Sequence, residues 1–245
     1  MTKKKFRIFR FDPNKDKEPY FKEYEVDVKE GMVVLDAVIY ISQMIDTTLA
    51  VRWNCKAARC GSCSAEINGK PRLMCKTRVS DLGDTITIEP MKAFKIVKDL
   101  VTDVSINFEY AKKIPKFNPK PGLPQIWQMQ QISVERAQEF KRCIECFLCQ
   151  DSCHVFRNHK DNYYIGPRNV IKTAIYDFHP LDSEDRTEFL DRSGLNFCNV
   201  TKCCQEVCPE HIRITDNAII PEKERLLNRK DPLYKLVSKL KGRDR

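Results

Sequence analysis

The chain has 245 residues, room for two domains, with 42% hydrophobic and 31% charged residues and a formal net charge of +9. No run of 18 apolar residues occurs, so no transmembrane segment of its own is expected. The basic residues are not interleaved with aromatics suited to base stacking, which argues against nucleic acid as a partner. Twelve cysteines far exceed ordinary usage. No signal peptide precedes Lys3-Lys4-Lys5, and the absence of a transit peptide favours a prokaryotic cytoplasm. Thiols in a reducing compartment are therefore expected in place of a disulfide framework.

In chain order, Phe6 to Phe11 alternates apolar and basic residues as a half-buried strand does, and Tyr20 to Val28 reads as its hairpin partner. Val34, Ala37, Val38, Ile41 and Ile45 recur at helical spacing over 33–45. Ser64 to Ile67 and Arg72 to Val79 flank Asn68-Gly69, a hairpin turn signal, and Thr85 to Glu89 completes a small mixed sheet. Pro115, Pro119, Pro121 and Pro124 cannot continue a helix or a ladder, so 112–125 reads as an extended strap, either a hinge or a surface loop. Beyond it, 133–143, 167–178 and 184–190 read as helices, with Pro167 in a first turn. A further helix over 215–230 is interrupted by Pro221. The expected fold class is α+β: an N-terminal β-grasp plant-type ferredoxin domain (1–100) and a C-terminal, mainly helical, bacterial-ferredoxin-like domain (101–245).

Eleven of the twelve cysteines fall into two spacing patterns. Cys55, Cys60, Cys63 and Cys75 read C-x4-C-x2-C-x11-C, the plant-type arrangement for a 2Fe-2S cluster. A zinc ribbon is the competing reading, but it pairs two C-x2-C knuckles, and here Cys75 stands alone. Gly61 would let the loop fold around the sulfides, where a side chain would collide. Cys143, Cys146, Cys149 and Cys153 read C-x2-C-x2-C-x3-C. Cys198, Cys204 and Cys208-Pro209 repeat that run with Thr201 at the second cysteine. In such runs the fourth cysteine serves the other cluster. By that rule Cys143, Cys146, Cys149 and Cys208 hold a 4Fe-4S cluster, and Cys153, Cys198 and Cys204 hold a second cluster whose last corner faces Thr201. Threonine is a poor iron ligand, so a 3Fe-4S cluster is expected. The alternative is a full cube that recruits Cys203; otherwise Cys203 is a packed thiol beside the cluster. Each oxidised cluster with its thiolates carries roughly −2, which would bring the net charge to about +3.

With these motifs in place, the whole chain resembles the iron–sulfur subunit of the succinate dehydrogenase and fumarate reductase family. The resemblance lies in Cys55-Lys56-Ala57-Ala58-Arg59-Cys60-Gly61-Ser62-Cys63, in Cys143-Ile144-Glu145-Cys146-Phe147-Leu148-Cys149, in Ile165-Gly166-Pro167 and in Cys198 through Pro209. It implies a membrane-bound complex in which a flavoprotein subunit with FAD interconverts succinate and fumarate. This subunit would pass single electrons to a quinone at a membrane anchor subunit. No G-x-G-x-x-G occurs, so the chain itself has no nucleotide-binding half and is not expected to act on dicarboxylates alone.

There are departures from the family pattern. Relatives linked to ubiquinone often carry a proline after the position of Cys153, with tryptophans beyond it, and a histidine after that of Cys198. Here His154 and Asn199 follow those cysteines. His154, Arg157, Asn199 and Thr201 are the quinone-proximal candidates, and menaquinone is a plausible quinone. His154, His159 and His211 are either proton carriers or ordinary surface histidines. The basic tail from Glu222, with Leu233, Leu236, Val237 and Leu240 at helical spacing, either docks on an anchor or lipid or is a solvated helix. Two other functions compete: a soluble electron carrier, and a three-cluster subunit of another flavoenzyme or of a thiol-linked fumarate reduction. The last would usually carry a further cysteine-rich extension.

Overall fold

The computed structural model describes residues 2–159 and 163–234. These form two compact units. The first takes the chain up to Ser105 together with Ile144–Ser152 and Val207–Pro209; the second takes Ile106–Cys143, Cys153–Glu206 and the chain from Glu210 onward.

The first unit is built on a five-stranded mixed sheet. Strands β1 (Thr2–Arg10), β2 (Tyr20–Val28), β3 (Ser64–Ile67), β4 (Lys70–Leu73) and β5 (Thr85–Glu89) lie in the order β2-β1-β5-β3-β4, with β1 parallel to β5 and the other pairs antiparallel. The inward residues of the alternating strands, Phe6, Ile8, Tyr24, Val26, Ile86 and Ile88, are buried, as their period of two requires. They share a core with Val34, Leu35 and Val38 of helix α1 (Val34–Tyr40) and with Ile41 of the wide π turn over Ile41–Ile45 that continues it. Asn68 and Gly69 both take positive φ, as the Asn-Gly turn predicts. The strand expected over 72–79 stops at Leu73. Cys75 then sits in a turn pinned to the start of α1, where Val34 N donates to Thr77 O (2.9 Å) and Leu35 N to Met74 O (3.1 Å). Two further strands, β6 (Lys95–Lys98) and β7 (Val101–Asp103), form a separate hairpin that the sequence pattern does not single out.

Arg10 anchors the far side of this unit. Its guanidinium donates to Asp99 (3.0 Å), Asp46 (2.7 Å) and Tyr24 (2.8 Å), all buried. Burial alone would raise the Asp46 carboxyl, but hydrogen bonds from Lys22, Thr48, Tyr24 and Arg10 outweigh it and hold the group well below the ordinary carboxylate range. Asp99 also accepts from Ala50 N (2.8 Å), which fixes the chain just ahead of the cysteine loop.

The second unit is helical: α2 (Ser105–Lys112, entered from the first unit), α3 (Gln131–Lys141), α5 (His154–Asn158), α6 (Pro167–Asp177), α7 (Thr187–Arg192), α8 (Cys203–Glu206) and α9 (Ile220–Lys230). The short helix α4 (Leu148–Ser152) belongs to the first unit. Pro221 does not interrupt the last helix. A π turn over Ile214–Ile219 precedes it, and Pro221 sits in the first turn of α9, where its missing N–H costs no bond.

The proline strap is tied down within this unit. The fully buried Arg186 donates to the carbonyls of Pro115 (2.8 Å) and Lys116 (2.7 Å) and pairs with Asp177 (3.0 Å) and Asp182 (2.8 Å). Asp177 and the buried Glu222 share Arg225, at 3.0 and 2.9 Å. Of the apolar stripe expected in the tail, Leu233 is exposed, and Leu236, Val237 and Leu240 lie outside the described residues.

Candidate metal centres

The three cysteine runs share one backbone device. Non-glycine residues adopt left-handed conformations in pairs, each pair flanking one residue: Lys56 (φ 55°) and Ala58 (55°) about Ala57, Glu145 (56°) and Phe147 (60°) about Cys146, and Val200 (61°) and Lys202 (64°) about Thr201. Left-handed backbone disfavours residues with a Cβ, and a β-branched Val200 there is a true outlier. Three such pairs cost of order 1–3 kcal/mol per residue and persist only where the surroundings fix them. Alternating right- and left-handed residues aim successive N–H groups into one concavity, the nest arrangement that cradles anionic sulfur and phosphate groups. Thr201 therefore occupies in the last run the backbone position that Cys146 occupies in the middle one.

In the first run the nest is satisfied partly by its own sulfur. Ala57 N and Arg59 N donate to Cys55 Sγ (3.4 and 3.3 Å), and Cys55 N donates to Cys60 Sγ (3.5 Å). Burial would raise the Cys60 thiol, but hydrogen bonds from Ser62 and Cys55 outweigh it and bring it to about 6. Cys63, the buried member, is pushed up to about 12 by burial. Cys75 stands just past β4; its backbone N–H opposes the rise at Cys63 while its thiol adds to it.

Gly61 has φ +68°, but the atoms it makes room for are those of another cysteine. A Cβ there would lie 2.6 Å from Cys146 Cα and 2.8 Å from Cys146 Cβ. Ser64 Oγ lies 2.8 Å from Gly61 O and 2.9 Å from Cys146 O and staples the two loops together with its one proton. Within the first unit the 2Fe-2S loop and the middle run are thus in backbone contact. Cys146, Cys149 and Cys208 belong to this unit, and Lys76 Nζ donates to Pro209 O (2.9 Å) beside Cys208. Cys143 follows α3 as the last residue before the chain enters the unit.

Cys153, Cys198, Cys203 and Cys204 all belong to the second unit and line one small cavity. Its other walls include Tyr164, Thr201, Thr215 and Ile219. Burial pushes Cys153 up to about 11 and Cys204 to about 12. A coordinating metal deprotonates such thiols outright. Cys204 Sγ is 3.4 Å from Thr215 Oγ1, and Cys203 Sγ is 3.5 Å from Thr201 Oγ1. Lys223 Nζ donates to Cys198 O (2.6 Å) and places a cation beside the cavity. The hydroxyl of Tyr164, a residue only 3% exposed, makes no well-formed hydrogen bond and faces the sulfur of Cys198. Burial and the nearby thiols of Cys198, Cys153 and Cys204 raise its pKa, so it stays a neutral phenol.

His154, Asn199 and Thr201 also line this cavity, with Asn199 Nδ2 2.9 Å from His154 Nε2. Arg157 lies one turn further along α5, half-buried, and is not part of the lining. His159 stacks edge-on near His154, and His211 is exposed.

The twelve cysteines are present as thiols, with no disulfide. Among the described residues, no three His, Cys, Asp or Glu side chains close on one point tightly enough for a single metal ion. Dispersed thiols around nests and a walled cavity suit clusters, whose irons are spread over several ångströms.

Two family models match the chain: the 2Fe-2S iron-sulfur cluster binding domain over residues 5–109 and the 4Fe-4S dicluster domain over 139–212. The chain is 32% identical to the Fumarate reductase iron-sulfur subunit of Haemophilus influenzae, over 84% of this chain and 86% of that protein. It is 30% identical to the Fumarate reductase iron-sulfur subunit of Mycobacterium tuberculosis, over 84% and 85%. It is also 32% identical to a subunit of the Fumarate reductase (CoM/CoB) of Methanothermobacter marburgensis, but spans only 42% of that longer protein. Among solved structures, a chain of the Mycobacterium smegmatis Sdh1 complex in the apo form superposes with a TM-score of 0.89 at 51% identity, covering 94% of this chain and 98% of that one. With an N-terminal sheet unit, a helical C-terminal part and cysteine loops of two kinds, the chain belongs to the family of fumarate reductase and succinate dehydrogenase iron–sulfur subunits.

Proposed function

We propose that this chain is the electron-transfer subunit of a succinate:quinone or quinol:fumarate oxidoreductase, working between an FAD-bearing flavoprotein subunit and a quinone at a membrane anchor. The observation that carries the reading is the matched backbone of Glu145-Cys146-Phe147 and Val200-Thr201-Lys202. The last run keeps the cradle of a cysteine run and leaves one thiolate out. The ligand sets are Cys55, Cys60, Cys63 and Cys75 for 2Fe-2S, Cys143, Cys146, Cys149 and Cys208 for 4Fe-4S, and Cys153, Cys198 and Cys204 for 3Fe-4S. Support for the crossed assignment comes from the grouping of Cys208 with Cys146 and Cys149 in one unit and of Cys153 with Cys198 and Cys204 in the other. When bound, the clusters accept and release electrons singly. The protein positions their thiolates and supplies N–H and O–H donors.

The mixed sheet with parallel β1 and β5 and helix α1 across it supports a β-grasp ferredoxin fold for the first domain. A bacterial-ferredoxin-like arrangement for residues 101–245 follows from the two cysteine runs. No helix among the described residues is long and apolar enough to cross a membrane. Attachment is therefore assigned to the anchor subunit, on the cytoplasmic face of a prokaryotic inner membrane. His154, Asn199 and Thr201 at the third cavity, with Arg157 further along α5, are the residues assigned to the quinone side, with menaquinone as one candidate quinone.

Purification of the tagged subunit from detergent-solubilised membranes tests this. The expected result is a complex with a flavin-containing subunit that transfers electrons between succinate or fumarate and a quinone analogue. A chain that purifies with clusters but no flavoprotein would refute it.

A further inference from the structure

We infer that the Tyr164 hydroxyl donates a hydrogen bond to the cluster held by Cys153, Cys198 and Cys204 and thereby raises that centre's reduction potential. The inference rests on the ligand set proposed above. Three hydroxyl-bearing residues line the cavity: Tyr164, Thr201 and Thr215. Thr215 lies 3.4 Å from Cys204 Sγ and Thr201 lies 3.5 Å from Cys203 Sγ. Tyr164 is a buried donor that makes no well-formed hydrogen bond: the residue is 3% exposed, and the one acceptor its hydroxyl faces is the sulfur of Cys198, one of the proposed ligands. Buried polar groups are nearly always satisfied, so an orphaned O–H at a cavity wall points to an acceptor that fills the cavity.

The backbone holds this side chain in place. Ile165 N donates to Ser193 O at 3.1 Å. Gly194, at φ +75°, lies so close to the same segment that a Cβ on it would fall 1.8 Å from Tyr163 O. Gly166 (φ 79°) and Pro167 then turn the chain directly into α6. Residues 163–165 are thus pressed against the 193–194 turn, and Tyr164 has little freedom to swing out to water.

The direction of the effect follows from charge. Each electron added makes the cluster and its thiolates more negative, and a hydrogen bond to sulfur strengthens as that charge grows. The donor therefore favours the reduced form. Tyr164 acts here by tuning the acceptor end of the electron path, and it need not touch quinone or dicarboxylate.

The test is an electron paramagnetic resonance redox titration of the intact complex carrying Tyr164→Phe. The three-iron signal should persist, and the one-electron equilibrium should move at least tenfold toward the oxidised form, a fall of about 59 mV or more in midpoint potential. A ring-fluorinated tyrosine at position 164 keeps the shape and is a stronger donor, so it should shift the midpoint upward. That second variant decides the matter if Tyr164→Phe fails to assemble. An unchanged midpoint with the three-iron signal intact would overturn the inference and leave the ligand set standing. Fully loaded wild-type complex with no three-iron signal would overturn the ligand set, and the inference with it.

Discussion

The 2Fe-2S loop and the 153/198/204 cavity use the same thiol chemistry in different surroundings. In the loop, Cys55, Cys60 and Cys75 are only half-buried while Cys63 is buried, and the donors to sulfur are mostly backbone N–H groups, of Cys55, Ala57 and Arg59, joined by Ser62 at Cys60. In the cavity, Cys153 and Cys204 are buried and Cys198 half-buried; backbone N–H groups of Val155 and Phe156 reach Cys153, and to these the wall adds side-chain hydroxyls, Thr215 at Cys204 and, as inferred above, Tyr164. Backbone donors come with the fold and survive almost any substitution. Hydroxyl donors are set residue by residue, so if the third cluster is the quinone end, as proposed above, the potential that must match the quinone is also the one that single substitutions can adjust. Burial sharpens the same contrast, since a hydrogen bond or charge acts more strongly where water is excluded.

The most damaging way to break the first site while sparing the second is Gly61→Ala. The added Cβ meets the Cys146 backbone at 2.6 Å and carries a positive φ, so neither loop can relax cheaply. The expected outcome is loss of the 2Fe-2S signal and poor loading of the 4Fe-4S cluster, with the three-iron signal retained in whatever folds. Normal iron content and normal spectra would show that the contact is not tight.

Thr201→Cys acts on the other side of the comparison. It restores the second cysteine of C-x2-C-x2-C-x3-C in a backbone already shaped for it, between left-handed Val200 and Lys202. A fourth iron should bind, the three-iron signal should vanish and the potential should fall, because an added thiolate stabilises the oxidised form. Quinone-linked turnover should drop, while succinate-dependent dye reduction at the flavoprotein survives. The 2Fe-2S signal should be unaffected.

A smaller effect concerns stability in the helical unit alone. Glu222 is fully buried and is pushed up to about 8 by burial first and by the charge of Asp177 second, with Arg225 opposing. The folded form therefore keeps a proton that the unfolded chain loses above its ordinary value of 4.5. Stability from this group is complete below that value and declines as pH rises toward 8, by at most about 1.4 kcal/mol per pH unit. Arg186 and Arg225 both pair with Asp177, and Arg225 also pairs with Glu222. Glu222→Gln should flatten the melting temperature between pH 5 and 8. An unchanged slope would mean that Asp177 carries the proton.

Much of this is legible in the sequence because spacing encodes it. The strands over 20–28, 64–67 and 85–89 follow from alternation, and the cysteine runs follow from their intervals. The hairpin of β6 and β7 leaves no such trace, because Lys95–Lys98 and Val101–Asp103 are too short to show a period. Pro221 misleads because a proline inside a run suggests a break, while the π turn ahead of it lets it serve as a first-turn residue. Gly61 stands out in the sequence as a point of close approach, but its neighbour does not, since its contact with Cys146 spans 85 positions of chain and leaves no local trace. The left-handed pairs carry no glycine to announce them. Tyr164 has one signal, its place directly before Ile165-Gly166-Pro167, but burial of its hydroxyl at the cavity needs the fold.

The central claim is that three clusters of different size occupy one chain, the third short of an iron at Thr201. Iron and acid-labile sulfide analysis of anaerobically loaded complex, read together with paramagnetic resonance of the oxidised sample, tests it most directly. The account predicts about nine irons per chain and a three-iron signal on oxidation. About ten irons per chain with no such signal would contradict it, and would place a full cube at Cys153, Cys198 and Cys204 with Cys203 as its fourth ligand.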